Sequence, residues 1–213
     1  EAMSPVVGRE VARLPSKRRI APVRGTARAN GVPVEEGASA TNQALRIAFQ
    51  GARGAYSEIA LNRYFDLVEG EVKAIPHRHF RDVFETVLRG DAEFGIVPLE
   101  NSLMGSIHEN YDLLLQYPDL RIVGETQIRI QHSLIGTADA AIDEIRTVIS
   151  QGPGIEQCRD FLDKYPSWEI KPFYDTAGAV AHVRDSADRS IAAIAHAQTA
   201  AYYGMRVLRE SIE

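Results

Sequence analysis

Phe94-Gly95-Ile96-Val97-Pro98-Leu99-Glu100-Asn101-Ser102-Leu103-Met104-Gly105 is the stretch from which the rest of the chain is read. Its first four residues, apolar or small, predict a short buried strand. Pro98 then removes a backbone donor and stops the pairing. A carboxylate, an amide and a hydroxyl follow in a row at Glu100, Asn101 and Ser102. Gly105 closes the turn, and Ser106-Ile107-His108-Glu109 has the Ser-x-x-Glu form of a capping box that starts a helix. In open α/β proteins ligand chemistry sits where a strand ends in polar groups before a helix. The same residues would equally serve an ordinary strand-to-helix loop capped by Ser106.

The flanking pattern favours α/β. Leu45 to Gln50 reads as a central parallel strand. The turn Gly51-x-x-Gly54-x-x-Ser57 follows, and a helix runs on to Phe65. Val72 to Ile75 is a second strand, ended by Pro76. Phe80, Val83, Phe84, Val87 and Leu88 recur at helical spacing, and Gly90 ends that helix. With the opening strand and a helix over about 106–115, strand, loop and helix occur three times, which predicts a parallel sheet with right-handed crossovers. Arg121 to Leu134 alternates over a span long enough to cross between two lobes. Strands are then expected at 147–149, 168–173, 191–195 and 206–208, with helices at about 154–162, from Asp175, and at 198–203. The expected architecture is two similar α/β lobes around a cleft, one formed by about 44–124 plus 191–213 and the other by 125–190.

Composition narrows the function classes. The 213 residues are 45% hydrophobic and 25% charged, with net charge −5. No basic field exists to hold a nucleic-acid backbone. No apolar run approaches the roughly 18 residues of a membrane helix. The single cysteine, Cys158, excludes an internal disulfide framework and fits a reducing compartment. Residues 1–43 differ from the rest: they are basic, with Pro5, Pro15, Pro22 and Pro33 scattered through them. They read as a flexible arm, an interaction tail or part of an organelle transit peptide.

Several positions are candidates for chemistry. The Gly51–Ser57 turn lacks the Gly-x-Gly of a dinucleotide fingerprint and the Gly-Lys-Ser/Thr of a P-loop. A helix N-terminus there suits a smaller anion such as a carboxylate, although two glycines can also serve only a tight turn. Asp175 or Thr176 can cap the next helix or face a ligand. His77, His79 and His108 lack metal-ligand spacing. His132 and Cys158 read as packing residues, and His196 and Gln198 are weak candidates at a strand end.

Taken in order, Gly51-x-x-Gly54-Ala-Tyr-Ser-Glu-x-Ala60, Phe94-Gly-Ile-Val-Pro-Leu-Glu-Asn-Ser102, Ile130-Gln-His-Ser-Leu134, Tyr174-Asp-Thr-Ala-Gly-Ala179 and Ala200-Ala-Tyr-Tyr-Gly-Met205 resemble the prephenate dehydratase family, including the plant-type arogenate dehydratases. The resemblance covers about residues 45–213. It implies a fold like a type II periplasmic-binding protein and the decarboxylating dehydration of prephenate to phenylpyruvate, in phenylalanine biosynthesis. Arogenate dehydration, or binding of a small carboxylate without turnover, are the alternatives. The reaction calls for no cofactor and no metal.

By the same resemblance, Glu100 and Thr176 are catalytic candidates. Ser57, Asn101, Ser102, Gly105, Ser150, Thr176 and Ala177 are the expected substrate contacts. The family's principal threonine, in a Thr-Arg-Phe motif, is expected beyond Glu213, as is the ACT regulatory domain. Gln151 and Pro153 stand where the family carries His and Gln. A homodimer or homotetramer is implied, in the cytoplasm or, if the basic arm derives from a transit peptide, in a plastid.

Overall fold

The structure is a computed structural model that describes residues 2–9, 44–68, 70–102 and 105–213, the first of these segments by its backbone alone. In chain order the first half holds β1 (Ala2–Arg9), β2 (Leu45–Gln50), α1 (Tyr56–Phe65), β3 (Val72–His77), α2 (Phe80–Arg89), β4 (Phe94–Ile96), β5 (Glu100–Asn101), β6 (Gly105–Ser106), α3 (His108–Gln116) and β7 (Leu120–Ile128). The second half holds β8 (Ser133–Gly136), β9 (Thr147–Ser150), α4 (Gly152–Gln157), α5 (Arg159–Leu162), β10 (Glu169–Pro172), α6 (Thr176–Ser186), β11 (Ile191–Ala195), α7 (Ala197–Tyr203) and β12 (Arg206–Arg209).

Two mixed sheets result, one per lobe. The first runs β3-β2-β4-β1-β5-β6 with β7 also paired to β1; the second runs β10-β9-β11-β8-β12. β2 shows why its residues are almost uniformly apolar. Ile47 and Phe49 pack under α1 with Leu61 and Phe65, while Ala48 faces the opposite layer with Val83, Phe84 and Leu113. A strand covered on both faces has no polar side to present. The second sheet repeats the pattern: Leu134, Val148 and Ile194 pack on Phe161 and Trp168, and Ile135, Ile149 and Ala193 pack on Val180 and Val183. The two-lobed α/β architecture read from the sequence is the one observed.

Four expectations are corrected. β11 and β12 belong to the second lobe, not the first: β11 runs parallel to β9 and antiparallel to β8, and β12 pairs β8. Apolar periodicity identifies a strand but not its partner. Ser106 does not cap α3. It pairs with Glu100 in a two-stranded turn, and Ile107 occupies the cap position without a side-chain bond. Pro76 lies inside β3 rather than ending it, tolerated because β3 is an edge strand among the described residues. The long alternating stretch divides at residues 129–132, where the chain crosses between lobes.

The N-terminal expectation is corrected in part. Ala2–Arg9 is a strand, antiparallel to both β4 and β7, and not an arm; the remainder, 10–43, lies outside the described residues. Pro5 stands opposite Glu125, beside a register shift between Val6 and Val7. Irregularity of that kind is what lets a proline, with no N–H to donate, enter a paired strand. Among the described residues, no helix is long and apolar enough to cross a membrane.

Candidate active site

A cavity of about 300 Å³ lies between the lobes. Ser57, Glu100, Asn101, Gly105 and Thr176 line it, from segments far apart in sequence. Phe80, Pro98, Ile107, Ile128 and Ile130 supply apolar wall, and Gln50, Tyr56, Gln151, Pro153 and Asp175 also line it. Glu100 and Asp175 are the only charged side chains among these residues. An anionic guest would therefore be held by amide and hydroxyl dipoles.

The turn after β2 forms the first wall. Gly51 has φ +116°, and a Cβ there would meet that of Ala55 at 2.6 Å. Gly54 has φ +88°, and its Cβ would lie 2.8 Å from Cγ2 of Thr199 in the other lobe. Thr199 Oγ1 in turn donates to the Gly54 carbonyl at 2.8 Å, a buried bond that joins the lobes. The glycine amides are not the anion donors their spacing suggested. Gly54 N–H donates to the carboxylate of Glu58 at 2.5 Å, and Gly51 N–H to the His77 carbonyl at 2.8 Å. What this wall offers a guest is Ser57 and the positive end of α1 at Tyr56 and Ser57.

The second wall is the β5–β6 turn. Asn110 Nδ2 donates to the Pro98 carbonyl at 2.7 Å and Ile107 N–H to the Leu99 carbonyl at 2.8 Å, which fixes the base of the loop. Glu100 is exposed, with Tyr111 donating to its carboxylate at 3.4 Å. Ser102 is exposed on the same loop and is not among the cavity-lining residues.

Across the cleft Asp175 caps α6, accepting from Gly178 N–H at 2.5 Å. Thus the capping reading of Asp175 and its place in the cavity are both realised. Burial raises the Asp175 carboxyl above its ordinary range, against the amides of Gly178, Ala52 and Ala177, which act downward. Thr176 opens the helix, buried, with its neighbour Ala177 fully enclosed in the core. Ser150 is likewise fully buried and donates to the Ile194 carbonyl at 2.8 Å. It supports β9 and does not line the cavity, a correction to its expected substrate contact; Ala177 is displaced in the same way. Gln151 and Pro153, the two departures from the family pattern, both line it. Cys158 is a packing residue as expected, its thiol pushed up to about 12 by burial.

A half-buried polar line behind the cavity, with His132 enclosed at its centre, was not legible from spacing. Tyr56 donates to the Gln131 carbonyl at 2.6 Å and stands 3.0 Å from His132 Nδ1. His132 Nε2 is 2.6 Å from Gln157 Oε1, and Gln157 Nε2 reaches Asn101 Oδ1 at 3.4 Å. His132 N–H donates to the Glu213 carboxylate at 2.8 Å. His196 makes an edge-on ring contact with Tyr56, and its Nδ1 accepts from Gln198 N–H at 3.1 Å. In sequence these residues are scattered from Tyr56 to Glu213, and only the tertiary fold brings them together.

The chain has relatives among known proteins. A chain described as prephenate dehydratase, from Methanocaldococcus jannaschii, is 38% identical over 161 residues, 76% of this chain and 57% of that one. The chloroplastic arogenate dehydratase 5 of Arabidopsis thaliana is 39% identical over 170 residues, 79% of this chain and 39% of its own length. The crystal structure of a prephenate dehydratase from Arthrobacter aurescens in complex with L-Phe superposes with a TM-score of 0.70 at 27% identity, covering 78% of this chain and 55% of that one. This chain thus spans less than two thirds of the relatives it matches. The model of the family described as prephenate dehydratase matches residues 47–213, and with the cleft and its lining loops in place, the chain belongs to the prephenate dehydratase family.

Proposed function

We propose that this chain supplies the substrate cleft for the decarboxylating dehydration of prephenate to phenylpyruvate. The observation that carries the proposal is the convergence of Ser57, Glu100, Asn101 and Thr176 on one inter-lobe cavity. A volume of about 300 Å³ is at the small end of small-molecule sites, roughly 300–1,000 Å³. The prephenate dianion takes up one proton and leaves as phenylpyruvate, carbon dioxide and water. The ring-carboxylate carbon bond breaks, its electron pair enters the ring, and the ring hydroxyl departs with the proton. No electron acceptor enters that balance.

The residues divide the work. Ser57 and the α1 N-terminus receive a carboxylate. Asn101 and Thr176 hydrogen-bond the substrate, and Glu100 at the cleft mouth serves electrostatic or proton-transfer work. Asp175, raised by burial, is a further group able to hold a proton near the departing hydroxyl. Such positioned donors contribute about 10²–10⁴-fold, and alignment of the leaving groups adds to it. The same reading supports a homo-oligomer, in the cytoplasm or, like the Arabidopsis relative, in a plastid.

Assay of the full-length protein should show phenylpyruvate formed from prephenate. Absence of that product, and of phenylalanine from arogenate, overturns the proposal. Phenylalanine formation alone selects the arogenate alternative, for which the Arabidopsis relative is the support. Ligand affinity without either product selects the binding module. Because its hydroxyl is spent on the Ile194 carbonyl, Ser150→Ala should lower stability by about 1–3 kcal/mol. Substrate affinity should be unchanged. Urea unfolding and a binding titration separate the two effects.

A further inference from the structure

Among its described lining residues the inter-lobe cavity has no lysine or arginine, and its charged side chains, Glu100 and Asp175, are carboxyl groups. Prephenate brings two carboxylates of its own. Repulsion between like charges grows as a cleft excludes water. Hydroxyls and amides answer it only with partial charges, so a full cation is needed close by.

A second cavity, of about 310 Å³, adjoins the first and shares Gly51 and Asp175 with it. Ala52, Pro76, His77, Arg78 and Tyr174 also line it. Among the described residues lining the two cavities, Arg78 is the only arginine or lysine. His77 does not supply the charge: burial, the largest influence, lowers its pKa, and its Nε2 lies 3.1 Å from Thr86 Oγ1.

Arg78 is held at the junction of the cavities by its backbone. Gln50, on the wall of the first cavity, donates from Nε2 to the Arg78 carbonyl at 3.3 Å. Gly51 N–H donates to the neighbouring His77 carbonyl at 2.8 Å. The Arg78 guanidinium lies 5.6 Å from the centroid of the Tyr174 ring and so reaches from the first lobe to the second. Tyr174 is seated by Gly178, where a Cβ would overlap the phenol, and by Phe173, its ring centroid 4.7 Å away. An aromatic face attracts the charge but occupies none of the N–H donors in the way a carboxylate does. Among the described residues, no carboxylate or other acceptor receives the guanidinium. Its planar fork is therefore open to a carboxylate, which it binds through two N–H groups at once.

We propose that Arg78 binds the substrate carboxylate that survives the reaction, at the junction of the two cavities, and that it sets a preference for a keto acid over an amino acid. This rests on the prephenate dehydratase reading for the identity of the ligand. A full cation beside the departing ring carboxylate would resist the loss of its negative charge, which leaves the side-chain carboxylate for Arg78. In prephenate that carboxylate adjoins a keto group, and in arogenate it adjoins a carbon bearing an ammonium. The ammonium meets the guanidinium with like charge, so arogenate gains less from Arg78. Because the side-chain carboxylate keeps its charge throughout, the contact is equally strong in ground and transition states. Its loss then raises KM and leaves kcat.

The binding test titrates the whole chain with phenylpyruvate, which retains that carboxylate, and with its methyl ester, which lacks the charge. Wild type should bind the acid about 10–100-fold more tightly than the ester, the range of a charge-assisted hydrogen bond. In Arg78→Gln the two should come within about threefold of each other, and Arg78→Lys, with the charge but not the fork, should restore part of the difference. Salt at about 1 M, where the Debye length is about 3 Å, should narrow the wild-type difference. Arg78 is exposed, so the urea unfolding curve of Arg78→Gln should overlay that of the wild type. In turnover by the full-length protein, Arg78→Gln should raise KM for prephenate about 10–100-fold, keep kcat within about twofold, and cost arogenate less.

An acid–ester difference that survives Arg78→Gln, phenylpyruvate that does not bind the wild type, or a fall in kcat with KM unchanged each overturns this role of Arg78. A larger loss on arogenate than on prephenate overturns the preference. If the wild type turns over neither substrate, the proposed reaction fails, while the acid and its ester still decide whether Arg78 holds a carboxylate.

Discussion

Asn101→Ala should lower kcat/KM for prephenate by about 10²–10³-fold, the usual cost of deleting one donor aimed at developing charge in a site screened from water. The expectation comes from its position. Asn101 lines the cavity, pairs through β5 with the two-stranded turn, and is held from behind by Gln157 of the other lobe. Alanine removes the amide and leaves Gln157 without that partner. Asn101→Asp keeps the shape but replaces a donor with a charge that repels the substrate, so its loss should be at least as great. Steady-state assay of the full-length protein, with circular dichroism to show that the fold persists, gives the answer. A loss below tenfold would remove Asn101 from the substrate contacts that matter to turnover.

The second large effect is on stability. Gly54→Ala should destabilise the protein by about 2–5 kcal/mol. The left-handed conformation costs a side-chain-bearing residue about 1–2 kcal/mol, and forcing a methyl into packed space adds about 1–3 kcal/mol. Both conditions hold: φ is +88°, and the new Cβ would lie 2.8 Å from Thr199 Cγ2 and 3.2 Å from its Cα. Thr199→Ser removes the nearer atom and keeps the hydroxyl that donates to the Gly54 carbonyl. In the Gly54→Ala background it should therefore restore part of the packing loss and none of the backbone cost. Thermal or urea unfolding of the two single variants and the double variant measures that coupling. Strict additivity would show that the two lobes do not meet at this point. Because this contact sets the spacing of the lobes beside Ser57, catalytic efficiency should fall with stability.

The difference between legible and illegible features is one of range. Ile47, Ala48 and Phe49 announce a doubly covered strand because each residue's own polarity must match both faces it touches. Gly90 at the end of α2 and Asp175 at the start of α6 are equally local, since a helix end must satisfy its own orphaned backbone groups. Ser106 fitted the capping pattern, yet its backbone is used in pairing with Glu100, a tertiary preference that overrides the local one. Ala2–Arg9 was hidden for a related reason. Its partners, β4 and β7, lie some ninety residues or more further along, and Pro5 and Gly8 weigh against a strand until the register shift is seen.

By itself the sequence determined the α/β class, the strand-end loops that carry polar groups, and, through the order of its motifs, the family. These follow from local chemistry: periodicity, caps, and glycines where a side chain would clash. Only the tertiary structure decided that β11 and β12 complete the second lobe and that Ser150 is spent on the Ile194 carbonyl. It also decided that His132 stands between Tyr56 and Gln157 behind the cavity. A hydrogen bond depends on where two groups come to rest, and for residues twenty-five or more apart in sequence the crossing of the chain between its lobes sets that distance.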